Sequence, residues 1–212
     1  MSQHGFRRRA GALSLVALFP ALLASTAIDP LGDNHDNATQ LHNAVGHSGA
    51  VVASAAFELL AAALAPVAVL WLVQLVNGRG RVLANIGGVL GVAGSLGMAL
   101  IGVHQLFIAA LADADPAHGT AVLDRLDHLA GPIVVLFFLV PVALVLLAVA
   151  ARRARLVPSW VPGVAGLFFI ADFTPLPEAE IIQLLLGLAA FGTIALRASR
   201  GRAWDPEPAV AS

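Results

Sequence analysis

Residues 49–76 read GAVVASAAFELLAAALAPVAVLWLVQLV, and Glu58 is the only charged residue in this run. A helix of about 20 apolar residues is long enough to cross the ~30 Å hydrocarbon layer of a bilayer. The apolar residues are continuous and do not alternate with period two, which disfavours a closed β-barrel. The run therefore predicts a transmembrane α-helix.

Further apolar segments lie on both sides of this run. The fifth segment along the chain, residues 156–173, gives the weakest prediction of a membrane span, because it is short and carries Pro158 and Pro162 at its start. Together the segments predict an all-α, polytopic transmembrane bundle of about six helices. The bundle forms one domain over residues 1–200, followed by a disordered cytoplasmic tail. The predicted helices are 11–28, 49–76, 82–112, 129–151, 156–173 and 179–196, and the tail is 201–212.

The composition agrees with a membrane protein. Of the 212 residues, 58% are hydrophobic and 12% are charged, and the mean hydropathy is +0.85. Ordinary soluble domains carry about 25% charged residues. The chain has no cysteine, which excludes disulfides and thiolate metal sites, and its net charge of -1 does not indicate nucleic-acid binding. Abundant Ala, Val and Gly, with no lysine, indicate a bacterium of high genomic GC content.

The arginines predict the orientation of the bundle. With six helices, 11 of the 12 arginines fall on one side of the membrane, and Arg125 alone falls on the other. Loops rich in arginine stay in the cytoplasm. We therefore expect a multi-pass protein of the bacterial plasma (inner) membrane, with both termini cytoplasmic. The arginines of the inner side are Arg7, Arg8, Arg9, Arg79, Arg81, Arg152, Arg153, Arg155, Arg197, Arg200 and Arg202.

The first helix has two interpretations. The basic residues Arg7 to Arg9 precede an apolar core, and Ser25-Thr26-Ala27 resembles a small-residue cleavage site. A cleaved signal peptide would leave five helices without changing the orientation of the rest. The apolar run is long enough to span, which favours a retained helix.

Glu58 is the most informative polar residue. It lies about nine residues inside the second predicted helix, roughly 13 Å along the axis. An ionised carboxylate at the centre of a membrane costs about 2.5–3.5 kcal/mol on insertion scales. Small residues at helical spacing around it predict that it faces the interior of the bundle. These are Ser54, Ala55, Ala61 and Ala62. Two interpretations of Glu58 stay open. It belongs to a functional site, or its protonated carboxyl holds two helices together through hydrogen bonds.

Other ionisable residues gather toward the outer side. His104 lies in the third helix at nearly the depth of Glu58, so we predict that the two meet as a pair. His47 shares a helical face with Glu58 if the second helix begins early. The alternative is that the outer histidines are only solvated. The predicted ligand-binding or proton sites are Glu58, His104, His47, Asp127, His128, Asp172 and Glu180.

No cofactor is predicted. Zinc can be held by three histidine or carboxylate ligands plus water, so a divalent metal stays open as an alternative. The sequence contains no His-Glu-x-x-His motif, no nucleophile elbow and no phosphate loop. Catalytic residues therefore cannot be assigned.

The third helix carries small residues at four-residue spacing: Gly87, Gly91, Ser95 and Ala99. Such a stripe permits close helix contact. Packing within the chain is one interpretation, and a homo-oligomer through Gly87, Gly91 and Ser95 is the other. The remaining expected partner is the lipid bilayer.

Residues 155–163, RLVPSWVPG, open a late helix. This stretch resembles a recurring feature of an uncharacterised family of multi-helix integral membrane proteins from high-GC bacteria. The helix that contains Phe57 and Glu58, followed by an inner turn with arginine, is also similar. The resemblance covers about residues 40–175 and implies no activity and no catalytic residues.

The leading functional hypothesis is binding or passage of a small solute or proton through an outward-facing polar pocket. One alternative is a membrane-embedded hydrolase or metalloenzyme that uses histidines and carboxylates. A second alternative is a non-catalytic accessory subunit whose polar residues only pack.

Overall fold

A computed structural model describes residues 3–32, 36–114, 116–171 and 179–199. These ranges contain helices and short connections without any strand, as the predicted all-α class requires. The α-helices are α1 Gln3–Ile28, α2 Asn37–Ala44, α3 Ser48–Leu75, α4 Arg81–Ala114, α5 Pro116–Val134, α6 Leu139–Arg153, α7 Trp160–Ala171 and α8 Ala179–Ser199. Two 3-10 segments, Gly78–Gly80 and Val135–Phe138, precede α4 and α6.

Five helical segments are long and apolar enough to cross a membrane: Arg9–Ile28, Ser48–Leu75, Gly78–Ala114, Val135–Arg153 and Ile181–Ala198. The described part of helix α7 has 12 residues, about 18 Å at 1.5 Å per residue, which is shorter than the hydrocarbon layer. It begins later than predicted, because the residue before Pro158 is disfavoured in the α conformation. The bundle is therefore that of a membrane protein, and a sixth span stays a prediction.

Helix α4 is the centre of the bundle and runs antiparallel to both α3 and α6. A Cβ atom on Gly91 would lie 2.8 Å from Val69 Cγ2 of α3 and 3.3 Å from Ala143 Cβ of α6. A Cβ on Gly87 would lie 3.1 Å from the Ala143 carbonyl oxygen, and Ser95 is also buried. The small-residue stripe thus packs within the chain. A homo-oligomer stays a prediction.

Helix α1 belongs to the main apolar core. Its Phe19 stacks on Phe191 of α8 with ring centroids 5.7 Å apart, and meets Phe168 of α7 edge-on at 6.1 Å. Leu15 and Leu18 of the same helix are almost fully buried. Removal of α1 would uncover this core, which is a physical argument for the retained first helix.

Residues 113–128 lie between the third and fourth predicted helices, and the prediction of no helix there was wrong because α5 covers most of them. Leu123 of α5 is fully buried against Leu41 and Ile108 in a second apolar cluster, with Leu126 beside it. Leu123 and Leu126 therefore lie on the face of α5 that packs on α2 and α4, and Asp124 and Asp127 border that face. The acidic composition concealed this pattern.

Helices α5 and α6 form one rod interrupted by the 3-10 segment Val135–Phe138. Pro141 has no N–H, and its ring opposes the carbonyl of Phe137 four residues earlier. The ladder of α-helical hydrogen bonds changes there as a result. The predicted helix start at residue 129 was wrong, since the helix already begins at Pro116. Helix α3, by contrast, continues through Pro66.

The charged residues lie at opposite ends of the bundle. At one end the turn of Gly80 touches the Ala150 carbonyl, and Gly11 approaches Trp71. We call this the arginine end; its described arginines are Arg7, Arg8, Arg9, Arg79, Arg81, Arg152, Arg153, Arg155 and Arg197. The other, the carboxylate end, is formed by α2, α5 and the adjoining ends of α1, α3 and α4. Its described acidic residues are Asp29, Asp36, Asp113, Asp124 and Asp127, and it also carries Arg125.

Candidate functional site

A cavity of about 500 Å³ is lined by residues of α1, α2, α3, α4, α6, α7 and α8, together with the 3-10 segment Val135–Phe138. It extends from the carboxylate end into the bundle. Its walls are mainly apolar: Leu22, Leu31, Met98, Ile101, Ile108, Phe137, Phe138, Val140, Pro141, Phe168 and Leu184. Its polar lining residues are Ser25, Thr26, Asp29, Gln40, Glu58, His104, Gln105 and Gln183.

Glu58 lies at the deep part of this cavity. It follows the start of α3 by ten residues, about 15 Å along the axis. Its side chain is only 8% exposed. The small residues predicted to share its buried face are all buried: Ser54, Ala55, Ala61 and Ala62. Glu58 therefore faces the interior of the bundle.

A chain of hydrogen bonds connects α1, α3 and α4 beside Glu58. The Oγ atoms of Ser25 and Ser54 lie 3.0 Å apart, and each hydroxyl also lies within reach of the other residue's backbone carbonyl. Ser54 Oγ donates to Gln105 Oε1 at 3.5 Å, and Gln105 Nε2 donates to Asp29 Oδ2 at 3.4 Å. The backbone N–H of Leu31 donates to Asp29 Oδ1 at 3.0 Å. This chain reaches from the bundle interior to the carboxylate end.

His104 connects the cavity wall to α5. Its Nε2 atom lies 3.3 Å from Asp127 Oδ1, within ion-pair distance but not aligned as a hydrogen bond. Asn37 Nδ2 donates to Asp127 Oδ2 at 2.6 Å and to Asp124 Oδ1 at 2.9 Å. Asn37 is 8% exposed, so its amide holds two carboxylates of α5 against α2. The direct pair of His104 with Glu58 stays a prediction, although both residues line the cavity.

The remaining candidates are not brought into the described lining. His47 precedes α3, is exposed, and directs Nδ1 to the Val45 carbonyl oxygen at 3.3 Å. The left-handed Gly46, with φ of 77°, turns the chain there. His128 is exposed on α5. Asp172 lies outside the described residues, as does the side chain of Glu180. Their binding roles stay predictions.

Two polar residues were not predicted as site residues: Ser25, which lines the cavity, and Asn37, which holds the carboxylates of α5. Ser25 was interpreted as part of a cleavage site. A local signal for Asn37 exists, because Asp36 and Thr39 form an N-cap that starts α2. No comparable signal predicts which helix Ser25 faces, since that depends on the packing of α1 against α3.

The described residues contain no group of three or more histidine, cysteine or carboxylate side chains placed to hold a metal ion. Asp33, His35 and Asp172 lie outside those residues. A divalent metal stays open as an alternative.

No family model matches this chain, and no match is found among curated proteins or solved structures. The fold and the apolar helices define a class, an α-helical membrane protein with an internal cavity whose mainly apolar walls carry a few polar groups. The resemblance carried by residues 155–163 stays a prediction.

Proposed function

We propose that this chain is a multi-pass protein of a bacterial plasma membrane that binds or passes a small solute or proton through an outward-facing pocket. The observation that carries the proposal is the cavity of about 500 Å³ with Glu58 and His104 in its lining. Pockets of 300–1,000 Å³ with apolar walls and a few convergent polar groups are typical ligand sites.

The distribution of charge supports the orientation. The arginine end carries every described arginine except Arg125, and arginine-rich ends face the cytoplasm. The carboxylate end would then face outward, and the cavity extends from that end. Both termini would lie in the cytoplasm.

The depth of Glu58 supports a functional role. Ionisable residues inside membrane helices are costly and usually mark pathways for substrates, ions or protons. The chain of hydrogen bonds from Ser54 through Gln105 to Asp29 supplies polar groups between that depth and the outer end. A solute or proton could use these groups in place of water.

Access to the pocket can be tested with single cysteines, because the chain has none of its own. Ile101→Cys places a thiol in the cavity wall one helical turn below Gln105. Ala143→Cys is the matched control, since Ala143 is fully buried between α6 and α4. Membrane-impermeant thiol reagents added from outside should modify Ile101→Cys much faster than Ala143→Cys. Equal, negligible rates would contradict the proposed pocket.

Proton passage requires a separate measurement. Wild-type protein and Glu58→Gln are reconstituted in liposomes that contain a pH-sensitive dye, and a pH step is applied. The amide of glutamine can hydrogen-bond as a protonated carboxyl does, so the variant should remain folded. It should nevertheless lose any pH-dependent flux. An unchanged flux would remove Glu58 from the pathway.

A further inference from the structure

We infer that the cavity selects organic cations, namely protonated or quaternary amines that carry an apolar body. This inference rests on the proposed function and names the class of ligand that the pocket would take. Three features lead to it: the sign of the charges in the lining, the aromatic part of the wall, and the size of the cavity.

The charges in the described lining are acidic. Asp29 lies near the outer end, Glu58 lies deeper, and the other polar groups except His104 are uncharged amides and hydroxyls. The described lining contains no arginine, and Arg125 is exposed on α5. His104 has Asp127 beside it, which offsets a positive imidazole. A cationic ligand would thus meet charges of opposite sign, whereas an anion would meet two carboxylates.

Asp29 and Glu58 lie at different depths in the cavity, so one can attract a cation and the other can bind it. Asp29 follows directly after α1, and Glu58 is about 15 Å along α3 from its start. A cleft lined by charges of one sign concentrates counter-ions by about 10-fold to 1,000-fold. Asp29 would draw a cation into the mouth, and Glu58 would hold it inside the bundle. A proton on Glu58 would compete with that cation.

The wall beside the carboxylates suits an apolar ammonium. Phe137 and Phe138 project from the 3-10 segment, with ring centroids 6.0 Å apart and planes at 70°. Phe168 contributes a third ring, from α7. Aromatic faces attract cations, and quaternary ammonium groups are a common ligand of such walls. Rings and aliphatic side chains would cover the apolar substituents of the ligand.

Size argues against a bare inorganic ion. A cavity of about 500 Å³ matches the volume of drug-sized ligands and would remain mostly empty around one ion. The described residues also offer no cluster of three ligands for a metal. An amine with apolar substituents uses both the carboxylates and the remaining wall.

The sign of the potential can be measured on Ile101→Cys in the otherwise unchanged full chain. The two reagents are the trimethylammonium-ethyl and sulfonato-ethyl methanethiosulfonates, which differ in charge. The ratio of their rates is divided by the same ratio for 2-mercaptoethanol at pH 8, where histidine side chains are ordinarily uncharged. The normalised ratio should favour the cationic reagent by about tenfold or more.

Variants identify the groups responsible. Asp29→Asn and Glu58→Gln should each lower the normalised ratio several-fold. Asp113→Asn is the control, because Asp113 is exposed on α4 and outside the described lining; it should leave the ratio unchanged. A normalised ratio near one in the unsubstituted cavity would overturn the inference, and so would equal effects of all three substitutions.

Protection supplies a second readout with ions of matched shape. Tetraphenylphosphonium should slow the modification of Ile101→Cys by the small reagents, and tetraphenylborate at the same concentration should not. Protection by the borate alone would overturn the inference and leave the proposed pocket intact. If neither charged reagent reaches Ile101→Cys, the proposed pocket itself fails, so the two failures are distinguishable.

Discussion

His104 Nε2 and Asp127 Oδ1 lie 3.3 Å apart and join the wall of the cavity to helix α5. Asn37 Nδ2 donates to the other oxygen of the same carboxylate, Asp127 Oδ2. Helices α2, α4 and α5 are thereby connected through polar side chains at the carboxylate end. The apolar cluster of Leu41, Ile108 and Leu123 lies beside this connection.

The first prediction concerns Asn37→Asp. A carboxylate in place of the amide removes the donor to Asp124 and Asp127 and adds a third negative charge beside them. Hydrogen bonds to charged groups contribute about 1.5–3 kcal/mol, and partial exposure here reduces that figure. We expect the free energy of unfolding in detergent to fall by about 1–2 kcal/mol. Asn77→Asp, at an exposed position near the arginine end, is the control; an equal loss there would contradict the role of Asn37.

The second prediction concerns the contact between Ser25 and Ser54. Hydrogen bonds between membrane helices contribute about 0.6 kcal/mol on average and up to about 1.7. Because these two hydroxyls are 3.0 Å apart and both buried, Ser25→Ala should lower stability by about 1 kcal/mol. Ser14→Ala, at another buried serine of α1, is the comparison. Equal thermal denaturation of the two variants would show that the Ser25 contact adds nothing specific.

The third prediction concerns the close contact of α4 with its neighbours. A Cβ on Gly94 would lie 2.6 Å from Val140 Cγ2 and 2.8 Å from the Val140 backbone nitrogen. The backbone must move to admit it, so Gly94→Ala should cost about 1–3 kcal/mol. Gly91→Leu should be worse, because a larger side chain enters the space between α3 and α6.

Gly166→Ala is the matched control for that experiment. Nothing lies within 4 Å of a Cβ at Gly166, inside α7. Alanine favours a helix over glycine by about 0.8–1.0 kcal/mol in soluble hosts, so this variant should be neutral or more stable. Thermal denaturation of Gly94→Ala, Gly91→Leu and Gly166→Ala in one detergent tests this prediction. Equal stabilities would mean that the glycines of α4 are not needed for packing.

The fourth prediction concerns pH and Asp36. Its carboxylate accepts hydrogen bonds from Thr39 Oγ1 at 2.7 Å and from the Thr39 backbone N–H at 2.9 Å. These bonds, the hydroxyl first, hold the pKa of Asp36 below its ordinary value of 3.8. The ionised cap therefore stabilises α2 fully above pH 3.8. That stabilisation is lost as pH falls through the lowered pKa of the folded chain.

NMR of the Thr39 amide measures this titration directly. Its chemical shift should titrate with a midpoint below 3.8. Asp36→Asn keeps an acceptor at the N-cap and removes the charge, so its Thr39 amide should show no such transition. A wild-type midpoint at or above 3.8 would contradict the assigned hydrogen bonds.

The fifth prediction concerns orientation. Cysteines at Asn77 and Ala154 test the arginine end and leave every arginine in place. Cysteines at His42 and His118 test the carboxylate end, where both histidines are exposed. In intact cells, an impermeant thiol reagent should modify the latter pair only. Modification of residue 77 from outside would reverse the proposed orientation.

Much of the fold could be predicted because the bilayer leaves few choices. Continuous apolar runs predicted both ends of α3 and α4 to within two residues, since a span of hydrocarbon fixes both length and conformation, whereas α1 begins at Gln3 and not at the predicted residue 11. Helix α5 could not be predicted in this way. Its formation depends on burial of Leu123 against residues of α2 and α4, which are distant in the sequence.

For the candidate site, the sequence predicted only how deep in the bundle its residues lie. The positions of Glu58 and His104 along their helices placed both at similar levels, and both line the cavity. The partner of His104 was not predictable, because Asp127 reaches it only once α5 packs over the carboxylate end. Ser25 shows the same limit, since a small residue fits a cleavage site and a helix contact equally well.

The 3-10 segment between α5 and α6 has a mechanical consequence. Phe137 and Phe138 belong to this segment and also line the cavity, while Asp127 lies farther out on the same rod. The 3-10 segment joins α5 to α6 at the cavity wall, and α5 carries the two carboxylates that Asn37 holds. A change in the angle between α5 and α6 would move the two rings, and the width of the cavity is thereby coupled to the contact between α2 and α5.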